Sequence, residues 1–308
     1  MKNQDIAERF RYQAGTLITE AKTRWKGLDD PKEQLRKAVK RISKLQEKLF
    51  ADDRYALLLI FQGMDAAGKD STIKKALTGV NPAGFETRSF KAPTYEHNDH
   101  NFLWRHWQVM PARGHIGIFN RSYYEEVLVV RVHPEIIQAQ QLANTNTNDA
   151  FWEQRLKDFR GMEEHLSANG VAVVKFFLNV SKEEQRVRLL ARLNDVDKLW
   201  KFNPRDVDER EHWDAYQTAF QEAIANTDAD HAPWYVVPAD DKQTMQAIIS
   251  SIIAHTLDSL PLAFPVPREE DMASFEKARL MLEANAESPE PDTHESSEGD
   301  EDEDVDEA

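Results

Sequence analysis

One stretch constrains this chain more than any other. Tyr55 to Phe61 reads YALLLIF, an unbroken apolar run, and one residue later comes Gly63-Met64-Asp65-Ala66-Ala67-Gly68-Lys69-Asp70-Ser71. A short apolar run ended by glycine predicts a strand covered on both faces, the situation of a parallel sheet with helices on either side. The loop fits G-x-x-x-x-G-K and opens onto a predicted helix, the strand–loop–helix setting that gives this pattern its meaning. Glycines let the backbone turn its amides towards an anion, the following helix adds its positive end, and a lysine neutralises phosphate charge. Gly63, Ala66, Ala67, Gly68, Asp70 and Ser71 are therefore candidate phosphate-binding positions, with Lys69 as the catalytic cation.

Two residues depart from the usual loop. The position after the lysine, commonly a Ser or Thr that holds magnesium, is Asp70, and Asp65 lies inside the loop. A carboxylate beside bound phosphates is repelled unless a divalent cation stands between them. Asp65 is accordingly read as a catalytic magnesium ligand, direct or through water; the alternative is an Asp that stabilises the turn by bonding nearby amides.

Further apolar runs, His115 to Phe119, Val171 to Leu178 and Trp234 to Val237, predict more strands. Helical spacing separates them: Leu35 to Leu49 behind Pro31, Trp152 to Leu166, a helix opened by the capping-box pair Ser181 and Glu184, and Met245 to Ile253. Alternating strands and helices predict an α/β fold, three layers with a parallel sheet flanked by helices. The second strand ends in Asn120-Arg121-Ser122, at the sheet edge where such folds bind ligands. Asn120 stands where many P-loop enzymes carry a metal-organising aspartate. Arg121 is a candidate catalytic cation facing the phosphates or, equally, the partner of Glu125 or Glu126 in a structural ion pair.

Charge must be located before it is interpreted. The net charge is −15, but 13 of the 54 acidic residues fall in Glu283–Ala308, which has no Lys or Arg. The remaining 41 against 39 Lys and Arg leave residues 1–282 at −2, so a polyanionic substrate is not excluded. The organisation expected is a helical segment over 1–54, a core over 55–260, a helical extension over 261–282 and a disordered acidic tail over 283–308. Without cysteine there is no disulfide, thiolate nucleophile or Cys-ligated zinc. No apolar stretch resembles a signal peptide or a membrane span of about 18 residues, so a cytoplasmic protein with no membrane partner is expected.

Several linked segments together carry a resemblance. YALLLIFQGMDAAGKDSTIKKALTGVNPAGFETRSFKAPT, FLWRHW, GHIGIFNRSYYEEVLVVRVHPE, KFNPRDVDEREHWDAYQ and APWYVVPADDK, in that order, resemble the polyphosphate kinase 2 family from about Phe10 to about Leu257. The resemblance implies a thymidylate-kinase-like P-loop kinase fold with a helical lid. It also implies transfer of the terminal phosphoryl of inorganic polyphosphate to a nucleoside mono- or diphosphate with Mg2+, in an oligomer such as a dimer or tetramer, with no nucleic-acid partner. The family's loop aspartate and lysine fall on Asp65 and Lys69, its strand-end arginine on Arg121, and its mobile lid cations on Arg188, Arg192, Lys198, Lys201 and Arg205.

The lid has support of its own. From about 194 to 210 the apolar period lapses and Lys198, Lys201 and Arg205 sit among aromatics, as suits cations that close over transferred charge; a solvated loop is the plainer alternative. Lys74, Lys75, Arg88, Lys91 and Arg105 could line a channel for a long polyanion, of which Lys74, Lys91 and Arg105 are carried as phosphate-binding candidates. Phe102, Trp104 and Trp107 are read as core aromatics, and His97 and His100 as surface histidines. The chain lacks the N-K-x-D element of guanine-binding switches and the H-R-D and D-F-G set of protein kinases. The expected reaction is polyphosphate-dependent phosphorylation of ADP or GDP, with AMP left open; an ATP-dependent nucleotide kinase on the same fold is the alternative.

Overall fold

The computed structural model describes residues 1–284; Glu283 and Ala284, expected to open the acidic tail, instead close the last helix, and the rest of the expected tail, 285–308, lies outside the described residues. Residues 1–264 form one compact unit, and the second unit, beginning at Pro265, contributes the helix Glu269–Ala284.

Five strands make one sheet: β1 Ala56–Gln62, β2 Phe85–Ser89, β3 Ile116–Asn120, β4 Val171–Asn179 and β5 Trp234–Pro238, in the order β2-β3-β1-β4-β5 with every neighbouring pair parallel. All seven residues of β1 are buried, which is why its sequence is apolar without alternation. Phe61 pairs with Asn120 in register, and Arg121 N–H donates to Phe61 O at 3.0 Å. The residue after β3 is thereby stitched beside the start of the phosphate loop. β2 has no counterpart among the predicted strands, because FETRS lies at the edge of the sheet, mostly exposed and without an apolar signal.

Helices cover both faces. Counting those of eight residues or more in the first unit, they are α1 Asn3–Phe10, α2 Pro31–Asp52, α3 Lys69–Ala76, α4 Asp149–Ala168, α5 Lys182–Leu193, α6 Trp213–Thr227 and α7 Lys242–Ser259. α2 starts where Asp30 accepts from the N–H groups of Lys32 and Glu33, with Pro31 at the first helical position. Its Ala38, Ile42, Leu45 and Leu49 are buried at helical spacing against α7. The N-terminal segment, polar in composition, still forms α1 and buries Ile6, Ala7 and Phe10, packing on α7.

α4 and α6 form the other layer, and there the sheet carries a charge. Lys175 in β4 is fully buried; its Nζ donates to Glu163 Oε2 at 2.6 Å, Thr227 O at 2.7 Å and Tyr124 OH at 3.1 Å. Glu163 Oε1 also accepts from the hydroxyls of Tyr123 at 2.7 Å and Tyr124 at 2.8 Å. Burial pushes the Lys175 pKa down and the Glu163 carboxylate opposes it. The network anchors the two tyrosines that follow Arg121 and Ser122, and so fixes the backbone leaving β3.

Candidate active site

The loop between β1 and α3 can present its amides because its carbonyls are held from behind. Lys69 Nζ donates to Gly63 O at 2.7 Å and Met64 O at 3.2 Å. Gln185 Nε2 donates to Asp65 O at 2.9 Å, and Arg188 Nη1 to Ala66 O at 3.1 Å and Ala67 O at 2.9 Å. Ser71 Oγ and Thr72 Oγ1 each reach Gly68 O at 2.9 Å. With the carbonyls of six successive residues occupied, and the Ala67 N–H closing a turn onto Met64 O at 3.2 Å, the other loop N–H groups and the first turn of α3 are left for an anion. Gly63 has φ of 151°, and a Cβ there would lie 2.9 Å from Leu178 O. Ala66 takes a φ of 60°, a left-handed value costing an alanine about 1–2 kcal/mol, held in place by the Arg188 bond to its carbonyl.

Lys69 is buried and its pKa is pushed down to about 8 by that burial and by the charge of Arg121, against the pull of Asp65, Glu125 and Asp70. Arg121, itself at φ 64°, pairs with the Asp65 carboxylate and with Glu125 Oε2 at 3.2 Å. Its pKa is raised by Glu125 first and Asp65 second, so it stays charged. The ion-pair alternative for Arg121 and the phosphate-facing one therefore coexist: the residue pairs with Glu125 and also lines the cleft. Asp65 binds an arginine rather than nearby amides, unlike the turn-stabilising alternative. Asn120 Nδ2 donates to Asp70 Oδ1, which gives the residue at the metal-organising position a tethering task.

No cluster of three or more His, Asp or Glu among the described residues is arranged to cage a metal. Magnesium seldom needs one, since it keeps several waters and uses one or two carboxylates plus substrate phosphates. Asp65, Asp70 and Asp206 line the same cleft as the phosphate loop, a hard oxygen donor set that fits this ion. Asp206 has its pKa raised by burial and by the neighbouring charge of Asp65, a sign that the two carboxylates share a field.

The cleft measures about 640 Å³ and is walled by the loop, the ends of β2 and β3, α5, the first residue of α7 and the 194–210 segment. Lys91, Arg188, Arg192, Lys198, Lys201 and Lys242 bring charge to its wall. Four expected residues are placed otherwise. Arg188 is buried on α5, with Nη2 donating to Ala239 O at 2.6 Å and Asp240 O at 3.1 Å and Nε to Glu184 Oε1 at 2.9 Å. It lines the base of the cleft, but its N–H groups are committed to protein acceptors, so it is a clamp and not a mobile lid cation. Lys74 is exposed on α3 outside the cleft, because that helix turns Thr72, Ile73 and Ala76 to the interior. Arg105 is buried, donating to Lys91 O at 2.8 Å and lying over the Phe90 ring, and supports the Lys91 backbone instead of meeting the cleft. Arg205 is exposed and off the cleft wall, where Asn203 and Asp206 stand.

Smaller expectations also shift. Ser181 caps α5 by accepting from Glu184 N–H, but Ser181 N–H goes to Asp240, so the capping box is only half formed. Phe102 packs on the core, whereas Trp107 is 40% exposed. Sequence reasoning missed Lys242, Asn203, Asp206 and Gln185 as site residues. Only Lys242 carried a local signal, following Asp241, which caps α7 through Thr244 N–H at 2.8 Å.

A parallel sheet with a phosphate loop after its central strand, an arginine at the neighbouring strand end and cations over the cleft defines a P-loop phosphotransferase. Residues 27–263 match the family described as Polyphosphate kinase 2. The chain is 50% identical over 234 residues to the ADP-polyphosphate phosphotransferase of Rhodopseudomonas palustris, covering 76% of this chain and 81% of that protein. It is 41% identical over 228 residues to the AMP/ADP-polyphosphate phosphotransferase of Meiothermus ruber, covering 74% and 81%. The crystal structure of polyphosphate kinase 2 from Arthrobacter aurescens TC1 superposes with a TM-score of 0.81 at 35% identity, over 90% of this chain and 96% of that one. This chain belongs to the polyphosphate kinase 2 family.

Proposed function

We propose that the protein transfers the terminal phosphoryl group of inorganic polyphosphate to a nucleotide, ADP or GDP with AMP as the further candidate acceptor, reversibly and with magnesium. The observation that carries this reading is the cleft. It joins the phosphate loop to six further cations from β2's end, α5, the 194–210 segment and α7, while Phe90 is the only aromatic side chain among the described residues lining it. Such a wall suits a chain of phosphates and offers little to a base, which favours polyphosphate over ATP as the donor at this cleft. The names of the two relatives point the same way.

The chain's own groups divide the work. Loop amides and Lys69 hold the donor's terminal phosphates, and Arg121 faces the group in transfer with a planar fork suited to two phosphate oxygens. Asp65 would hold magnesium, which when bound would supply charge neutralisation to the phosphates. The acceptor phosphate is already an anionic nucleophile and needs no strong base, consistent with the absence of histidine among the described residues of the cleft wall. Lys198 and Lys201 add positive charge over the moving phosphoryl group. The enzyme is taken to work in the cytoplasm as a homo-oligomer.

Purified protein given ADP, GDP or AMP with polyphosphate and no ATP tests the reading. Nucleoside triphosphate formed from ADP or GDP is the expected result. Product that appears only with a nucleoside triphosphate donor would make it a conventional nucleotide kinase.

A further inference from the structure

The 194–210 segment is tied to the phosphate loop at both of its ends, through Arg188 at the entry and through Gln185 at the exit. At the entry, α5 runs directly into the segment while its Arg188 grips Ala66 O and Ala67 O. At the exit, Arg210 Nη1 turns back to donate to Lys182 O at 2.9 Å and Gln185 Oε1 at 2.7 Å. Its neighbour Glu209 is pinned to the core, 3.0 Å from His133 Nε2 and accepting from Tyr216 OH at 2.7 Å. Gln185 is only 1% exposed, and its nitrogen donates to Asp65 O. One buried carboxamide thus has its oxygen committed to the end of the segment and its nitrogen to the loop residue whose carboxylate pairs with Arg121. A buried amide cannot turn without giving up both bonds, so the position of Arg210 is passed to the backbone at Asp65.

We propose that Gln185 is a positioning residue that couples the 194–210 segment, through Arg210, to the placement of Asp65 in the phosphate loop. The coupling rests on the phosphotransferase reading above. Gln185 touches no substrate; it acts by keeping the Asp65 carbonyl turned inward and its carboxylate in register with Arg121.

Four variants test it: Gln185→Met, Gln185→Glu, Arg210→Met and the double Gln185→Met/Arg210→Met. The readouts are kcat and KM for polyphosphate with ADP, Tm, and hydrogen exchange of the amides of residues 63–68. Gln185→Met should lower kcat about tenfold, the scale of a displacement well under 1 Å at a reacting centre, with KM changed far less. Gln185→Glu can still accept from Arg210 but has lost the donor to Asp65 O, and should be as impaired as Gln185→Met. Arg210→Met should lose less, and the double should be no worse than Gln185→Met, because both act through one chain of bonds. Loop amides should exchange faster in all four. Additive losses in the double, wild-type kcat in Gln185→Glu, or unchanged exchange would each overturn the proposal. A wild-type protein that fails to phosphorylate ADP from polyphosphate overturns the reaction assignment instead, and hydrogen exchange then still decides the coupling.

Discussion

Arg188→Met separates a buried clamp from a substrate contact. The substitution keeps an apolar stem and removes the guanidinium that serves Ala66 O, Ala67 O, Ala239 O and Asp240 O. A buried acceptor left without its donor costs about 1–3 kcal/mol. Four at the low end of that range amount to about 4 kcal/mol, since water from the adjoining cleft can reach some of them and a buried charge is removed at the same time. At about 2–4 °C per kcal/mol for a domain of this size, Tm should fall by roughly 8–16 °C. The freed carbonyls of Ala66 and Ala67 can then turn towards the donor's phosphates, and kcat/KM should drop about a hundredfold. Thermal unfolding and steady-state turnover with polyphosphate and ADP measure both effects. Arg192→Met is the control: that side chain is 26% exposed, lies 3.5 Å from Asp206 and lines the cleft, so it should weaken polyphosphate binding with little change in Tm. An unchanged Tm in Arg188→Met together with a raised KM would refute the clamp and restore the mobile cation.

Arg121→Lys should cost at least tenfold in kcat, because a point charge cannot hold Asp65 and Glu125 at once and still face a phosphate; wild-type turnover would leave Arg121 a structural pair only. Lys69 loses its proton near pH 8, so kcat/KM for polyphosphate should decline as pH rises through about 8, and a flat profile to pH 9.5 would exclude that lysine from binding. The stability effect has the opposite sign. Between about 8 and 10.5 the unfolded chain keeps a proton that the folded one has released, so wild type should gain stability relative to Lys69→Met across that window in paired denaturation curves. Lys175→Met leaves Glu163 buried without its cation and should destabilise the fold by about 3–5 kcal/mol, read from denaturant midpoints; a change under about 1 kcal/mol would mean the pair is replaceable.

Much of this architecture is legible in the sequence because central strands advertise themselves. β1, β3, β4 and β5 are buried runs that composition alone marks, and the loop after β1 follows from its glycines and lysine. β2 escapes because an exposed edge strand needs no apolar face. Among the site residues, charge is readable and direction is not. Arg188 and Arg192 lie one helical turn apart on α5 and both line the cleft, yet the first is spent on the loop carbonyls while the second is partly exposed beside Asp206. Lys74 follows the same logic on α3, whose interior face is set by Thr72, Ile73 and Ala76. Gln185, Asp206 and Lys242 reach the site from segments distant in sequence, and an uncharged amide such as Gln185 gives no sign of the two bonds it makes.

Everything proposed for the cleft turns on polyphosphate being the phosphoryl donor. Incubating the full chain with ADP, magnesium and polyphosphate freed of nucleoside triphosphate, and following ATP as it forms, tests this most directly. ATP should accumulate in proportion to enzyme, with Asp65→Asn and Lys69→Ala reduced by orders of magnitude while their folded signatures persist. No ATP from wild-type protein under these conditions, with ready turnover once a nucleoside triphosphate is supplied, would rule out polyphosphate as the donor.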